Sequence, residues 1–208
     1  MTRRIVSFEP YGCTMNHGEA RLAGQMLEEI GYEVRPPKGG LADPSSDIVL
    51  LFTCDVIETT QRRMWRRMEE ITRDGKDLVV AGCLASIDGD RILERYPEAK
   101  ILGSMGVPEL CSSMNDLFST GTAPGIDHPG PDGRMDTIVP IANGCLGSCS
   151  YCITRVARGP LRSYPVDKII GRIRKGVLSG RKEVLLTSQD TGVYGLDIGG
   201  IDLGGLLS

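Results

Sequence analysis

Two continuous apolar runs dominate the first half of the chain: Asp-Ile-Val-Leu-Leu-Phe-Thr-Cys over 47–54 and Asp-Leu-Val-Val-Ala-Gly-Cys over 77–83. Runs without alternation are the pattern of strands covered on both faces. A shorter strand is predicted over 3–10, with Ile5, Val6 and Phe8 as its apolar content. Between these runs the period changes. Leu22, Met26, Leu27 and Ile30 recur at helical spacing over 19–30, and Gly31 is placed to end that helix. Residues 11–16 read as a turn and 32–34 as a short strand. Met64, Met68 and Ile71 mark one side of a helix over 58–73. Asp88 can cap a helix running to Tyr96; a short strand over 99–102 and a helix over 108–118 follow. Strands alternating with helices predict a parallel sheet with helices on both faces.

Residues 119–136 are rich in Gly, Pro, Thr and Asp and contain Pro-Gly-Pro-Asp-Gly, a loop composition. This gives a domain over 1–120, a linker over 121–136 and a second region over 137–208. That region opens with a strand over 137–141. A helix over 166–178 presents Ile169, Ile170, Ile173 and Val177, and a strand over 183–187 follows. A βαβ repeat suggests a barrel or an open parallel sheet. Two strands cannot close a barrel, so the chain reads as the N-terminal part of a longer enzyme.

Composition adds limits. The 208 residues are 40% hydrophobic and 25% charged, with a net charge of −3, ordinary for a soluble globular protein. No signal-peptide core and no long apolar span is visible. Seven cysteines are too few for a disulfide scaffold of this length and are odd in number, so they read as thiols of a reducing compartment. A cytoplasmic protein with no membrane segment is expected.

The thiols carry the candidate chemistry. Cys145, Cys149 and Cys152 form a C-x-x-x-C-x-x-C array just after an apolar strand. Thiolates suit zinc, copper(I) and iron–sulfur clusters. A closed zinc site needs four ligands, whereas this loop supplies three, and His128 lies well upstream in the Gly/Pro-rich stretch. A cubane cluster can take three ligands from such a loop and leave one iron open. Gly144 and Gly147 let the backbone wrap closely around it. A zinc site or buried structural thiols are the alternatives. Cys13, Cys54 and Cys83 are far apart in sequence, but each ends or follows a predicted strand. Parallel strands deliver their C-termini to one edge, so a second three-thiol site is expected there, against the alternative of three separately buried cysteines. Cys111, among Leu110, Met114, Leu117 and Phe118, reads as a core thiol. His17 reads as a surface residue at a helix start.

The cysteine loop, with Tyr151 before its last cysteine, resembles the radical S-adenosylmethionine (SAM) superfamily. That resemblance implies a 4Fe–4S cluster on Cys145, Cys149 and Cys152, whose open iron chelates S-adenosyl-L-methionine and whose electron breaks a carbon–sulfur bond to give a 5′-deoxyadenosyl radical. The whole chain resembles the radical SAM tRNA methylthiotransferases. The motifs are Gly12-Cys13-Thr14-Met15-Asn16, Thr53-Cys54-Asp55-Val56, Gly82-Cys83-Leu84-Ala85, Arg158-Gly159 with Ser163, and Gln189-Asp190-Thr191 with Tyr194-Gly195 and Asp197. Phe52 and Ser188 depart from the family, which often has Asn and Gly there; neither departure removes a ligand. Cys-Ser-Tyr-Cys-Ile-Thr-Arg-Val-Ala-Arg-Gly and Leu-Thr-Ser-Gln-Asp-Thr are most similar to the archaeal and eukaryotic branch.

The resemblance implies an α/β fold: an N-terminal parallel-sheet methylthiotransferase domain, then the first βα units of a partial TIM barrel. It implies a second 4Fe–4S cluster on Cys13, Cys54 and Cys83 to supply or carry sulfur, a second SAM as methyl donor, and Tyr151, Arg158 and Gln189 near SAM. The implied product carries a methylthio group on C2 of N6-threonylcarbamoyladenosine at position 37 of tRNA. The implied partners are the tRNA anticodon loop and an electron-donor protein, with the enzyme a monomer. Alternatives are isopentenyladenosine in tRNA or a ribosomal-protein aspartate as substrate, and a non-enzymatic metal-binding or electron-transfer module.

Basic residues form two groups. Arg62, Arg63, Arg66 and Arg67 share one helix and read as a solvated face. Arg155, Arg158, Arg162, Lys168, Arg172, Arg174, Lys175, Arg181 and Lys182 crowd the stretch after the cysteine loop and are candidates for phosphate contact, with a solvated face as the alternative.

Overall fold

The chain's architecture is given by a computed structural model that describes residues 4–104, 106–118 and 136–208. It divides into two compact units, Met1–His128 and Pro129–Ser208. Apart from Asp136, which begins a strand, the expected linker lies outside the described residues.

The first unit runs β1 (Ile5–Pro10), α1 (Thr14–Glu29), β2 (Glu33–Arg35), β3 (Ile48–Thr53), α2 (Glu58–Arg73), β4 (Asp77–Gly82), α3 (Cys83–Ile87), α4 (Gly89–Arg95), β5 (Lys100–Gly103) and α5 (Val107–Phe118). All five strands are parallel, in the order β2-β1-β3-β4-β5. This is the doubly wound order in which the sheet changes direction between β1 and β3. One face packs Leu22, Ala23, Leu27, Leu110 and Met114 against Val6, Phe8, Leu50 and Phe52. The other packs Met64, Met68, Ile71, Leu84 and Ile92 against Val49, Leu51 and Val80. β3 is buried at all six positions, as its unbroken apolar run requires. Each fully buried Leu, Ile or Met contributes about 1.5–3 kcal/mol relative to exposure.

Two elements differ from the pattern-based expectation. α1 begins at Thr14, five residues early, because Cys13 adopts the extended N-cap conformation (φ −81°, ψ 167°) and Met15, Asn16 and Gly18 are already buried. The predicted turn is therefore much tighter. α3 was not expected: Gly82, at φ +91°, turns β4 directly into a short helix whose first residue is Cys83.

The second unit runs β6 (Asp136–Pro140), β7 (Ala142–Asn143), α6 (Ile153–Arg158), β8 (Arg162–Ser163), α7 (Val166–Leu178), β9 (Glu183–Thr187), a 3-10 turn (Thr191–Val193) and α8 (Leu203–Leu207). β6 and β9 pair in parallel from Asp136↔Glu183 to Pro140↔Thr187. α7 packs on β6, with Ile169 buried and Gly176 against Thr137. The core joins Val139, Ile141, Ala142, Leu161, Ile169 and Tyr194. The antiparallel pair β7–β8 closes the base of the cysteine loop; two-residue strands give no periodicity to read in a sequence. Among the described residues no helix is long and apolar enough to cross a membrane.

Candidate metal centres

The three neighbouring strands β1, β3 and β4 end in the segments that carry Cys13, Cys54 and Cys83. Their ends are level: Pro10 pairs with Phe52, and Thr53 with Gly82. The thiols thus stand at the C-terminal edge of the sheet around its switch point, where such folds bind ligands. Cys54 and Cys83 are buried and Cys13 is exposed. Gly12, at φ +89°, presses on Cys54: a Cβ there would lie 2.6 Å from Cys54 Cβ and 2.8 Å from its Sγ. A Cβ on Gly82 would lie 2.5 Å from the Thr53 carbonyl oxygen. Both positions need glycine for conformation and for room. The Cys54 amide donates to Met64 Sδ (3.4 Å).

Side chains stitch these turns together. Asn16 Nδ2 donates to the carbonyls of Tyr11 (2.6 Å) and Thr53 (3.0 Å). Thr53 Oγ1 donates to the Ala81 carbonyl (2.6 Å) and accepts from the Ala85 amide (3.3 Å). Beneath Tyr11 lies Glu9, a fully buried carboxylate held by Arg67, the Ala42 amide and the Tyr11 hydroxyl.

In the second unit Cys145, Cys149 and Cys152 occupy the loop between β7 and α6. Gly147 sits among them: its amide donates to Cys145 Sγ (3.3 Å), and a Cβ there would lie 3.4 Å from Cys145 Sγ and 4.0 Å from Cys149 Sγ. Cys152 caps α6, and its amide donates to the Cys149 carbonyl (3.1 Å). The Arg155 amide draws the Cys152 thiol below its ordinary pKa; burial opposes this, and Thr154 adds to it through its hydroxyl and its amide. Arg155 Nε donates to the Gly147 carbonyl (3.1 Å), and the Cys145 amide to the Gly159 carbonyl (3.2 Å). Gly144 is at φ +75°, and any Cβ there would overlap the Pro160 carbonyl.

Arg158 is 6% exposed, and its guanidinium donates to Asn143 Oδ1 (3.0 Å), which also accepts from the Gly144 amide (3.0 Å). It therefore braces the start of the cysteine loop. Tyr151 is 88% exposed. Gln189, beyond β9, has a buried Oε1 with no hydrogen-bond partner among the described residues, as does Ser188 Oγ. Ser163 links two of the sequence motifs: its amide donates to Asp197 Oδ2 (2.8 Å) and its Oγ accepts from the Gly195 amide (2.9 Å). Burial raises the Asp197 pKa, but the Ser163 hydrogen bonds outweigh it and the carboxylate titrates low.

Among the described residues no three His, Cys, Asp or Glu side chains converge tightly enough to hold one metal ion. Thiolates on a cubane bind separate irons and stand farther apart. Three sulfur donors per site, with glycine backbone laid directly on sulfur at Gly12 and Gly147, suit such a cluster. The unpaired acceptor of Gln189 suits a donor group on a bound ligand.

The remaining candidates divide. Cys111 is a core thiol, pushed up to about 12 by burial and by Glu29. His17 lies within α1, and His128 lies outside the described residues. Arg62 and Arg66 are exposed and ion-paired to Glu58 and Glu70, as a solvated face should be. Arg67 is not part of that face; it turns inward to Glu9. Sequence reasoning missed Glu9, Asn143 and the roles of Asn16 and Thr53. The available signal was a polar residue set within, or next to, an otherwise apolar run.

Residues 5–103 match the family described as "Uncharacterized protein family UPF0004". The chain is 34% identical to the probable threonylcarbamoyladenosine tRNA methylthiotransferase of Pyrococcus abyssi, over 93% of this chain and 47% of that protein. It is 35% identical to the protein of the same name from Methanothermobacter thermautotrophicus, over the same shares. It is 31% identical to the ribosomal protein uS12 methylthiotransferase RimO of Prochlorococcus marinus, over 94% of this chain and 45% of that protein. The chain thus spans about half the length of the curated relatives it matches. Among solved structures it shares its fold with the radical S-adenosylmethionine methyltransferase TsrM from Kitasatospora setae, at a TM-score of 0.60 and 13% identity, over 92% of this chain and 48% of that one. By sequence, residues 5–103 match the UPF0004 family, and nearly the whole chain is similar to about half the length of curated methylthiotransferases.

Proposed function

We propose that this chain is the cluster-bearing part of a radical SAM methylthiotransferase that places a methylthio group on C2 of N6-threonylcarbamoyladenosine at position 37 of tRNA. The observation that carries the reading is the level arrival of the Cys13, Cys54 and Cys83 turns at one sheet edge, in a chain that also holds the Cys145–Cys149–Cys152 loop. Each trio would hold one 4Fe–4S cluster. S-adenosyl-L-methionine would meet the loop cluster, with Gln189 Oε1 and Tyr151 as its neighbours. When bound, these groups supply the one-electron chemistry that a side-chain base cannot perform on an aromatic C–H at neutral pH.

The protein's own task is ligation and orientation. Arg158 and Asn143 fix the entry to the loop. Ser163 and Asp197 fix the segment that leads away from Gln189. Lys168, Arg174 and Lys175, exposed on α7, supply positive charge for the tRNA backbone. The enzyme would work in the cytoplasm as a monomer and take its electrons from a separate protein.

The kinship to the uS12 methylthiotransferases supports a second reading, in which the substrate is a ribosomal-protein aspartate. Mass spectrometry of tRNA and of uS12 from cells with and without the gene separates the two. Loss of the methylthio form of threonylcarbamoyladenosine supports the first reading. Loss of methylthio-aspartate with unchanged tRNA overturns it in favour of the second.

A further inference from the structure

Asn16 sits in the first turn of α1, three residues after Cys13, and is 1% exposed. A buried amide inside a helix is costly unless its hydrogen bonds are made. Here both bonds leave the helix. Nδ2 donates to the Tyr11 carbonyl at 2.6 Å and to the Thr53 carbonyl at 3.0 Å. A primary amide has two protons, so both bonds form at once. Tyr11 stands just before Gly12-Cys13, and Thr53 just before Cys54. One side chain therefore ties the backbone leading into the first ligand to the backbone leading into the second.

Thr53 carries the tie onward. Its hydroxyl bonds the Ala81 carbonyl and the Ala85 amide, which flank Gly82-Cys83-Leu84. Neither side chain has sulfur chemistry of its own. Together they cross-link all three cysteine-bearing turns.

We propose that Asn16 is the positioning residue of this thiol site: its amide sets the separation of the Cys13 and Cys54 turns, and Thr53 extends that register to Cys83. The assignment rests on the proposed cluster reading of the site. Outer-shell groups of this kind orient ligands, and their removal typically weakens metal binding about 10–100-fold. Asn16→Asp is the diagnostic change. It keeps the shape but sets a carboxylate against two carbonyl oxygens, turning two attractions into two repulsions. Thr53→Val likewise keeps shape and removes the hydroxyl, while Thr53→Ser restores it.

The test uses the full chain with Cys145, Cys149 and Cys152 replaced by Ala, so that only the sheet-edge site can load. After anaerobic reconstitution the parent should hold about four irons. Iron release to a chelator and the electron paramagnetic resonance spectrum of the reduced cluster are then compared. Asn16→Asp and Thr53→Val should release iron at least about tenfold faster and show altered spectra, while Thr53→Ser stays close to the parent. Leu27→Ala, in the buried core of the same helix and remote from the turns, should lower the melting temperature without speeding release. Parent-like release from Asn16→Asp and Thr53→Val overturns the assignment. So does release from Leu27→Ala as fast as from Asn16→Asp, because stability alone would then explain it. If Asn16→Asp does not fold, Thr53→Val decides by the same readings. A parent that takes up zinc or no iron overturns the cluster reading itself, and this assignment with it.

Discussion

Arg67 reaches from α2 to Glu9 at the end of β1, with a terminal nitrogen 2.8 Å and Nε 2.9 Å from the same carboxylate oxygen. The Glu9 side chain has no exposed surface, and that of Arg67 is 16% exposed. Burial depresses the Arg67 pKa, but hydrogen bonds and charge from Glu9 and Glu70 outweigh it, so the guanidinium stays charged. A buried pair adds little beyond what two well-packed apolar residues would give, yet breaking it leaves one charge stranded. Arg67→Met should therefore destabilise the first unit by about 3–5 kcal/mol, and adding Glu9→Gln should recover much of that loss. Urea unfolding of the two variants measures both. Near-equal stability of Arg67→Met and the parent would contradict the pairing.

Tyr11 gives a pH signature of the same network. Burial raises its pKa first, and the Glu9 charge and the hydrogen bond to Glu9 raise it further. The neutral phenol is thus favoured in the fold. Its contribution to stability is fully present below the ordinary tyrosine value of about 10 and is lost as pH rises through the folded value. In an absorbance titration at tyrosinate wavelengths, Tyr11 should ionise late, together with Tyr96 and Tyr194, whose pKa values burial also raises. Tyr11→Phe should shrink that late step by one phenol, and an unchanged amplitude would contradict it.

Glycines with left-handed backbones separate strain from crowding. A Cβ on Gly12 (φ +89°) would collide with Cys54, whereas a Cβ on Gly39 (φ +61°) would meet nothing within 4 Å. Gly39→Ala should cost about 1–2 kcal/mol, the backbone term alone. Gly12→Ala should cost clearly more and should also lower iron uptake at the sheet edge. Thermal melting with iron analysis reads both. Equal costs at the two positions would contradict the close approach to Cys54.

The longer strands were legible from their apolar runs and the long helices from their period, although α1 starts earlier than its period shows. α2, α7 and β9 span 58–73, 166–178 and 183–187, the bounds read from the sequence. α3 was not legible: five residues are too few for a period, and its start depends on the φ +91° turn at Gly82. The candidate sites were legible as cysteine positions but not as structures. Strand order places Cys13, Cys54 and Cys83 on neighbours, and spacing cannot reveal strand order. Arg158 reads as a ligand contact by its place beside the loop; that its guanidinium also donates to Asn143 is visible only in the structure. Arg67 looked like one more charge on a solvated helix because its partner lies 58 residues away.

The central claim, two thiolate trios each holding a 4Fe–4S cluster, is tested most directly by iron and sulfide analysis after anaerobic reconstitution. The unsubstituted chain should carry about eight irons, and replacing either Cys13, Cys54 and Cys83 or Cys145, Cys149 and Cys152 by Ala should leave about four. About four irons in the unsubstituted chain, unchanged when Cys13, Cys54 and Cys83 are removed, would contradict the account.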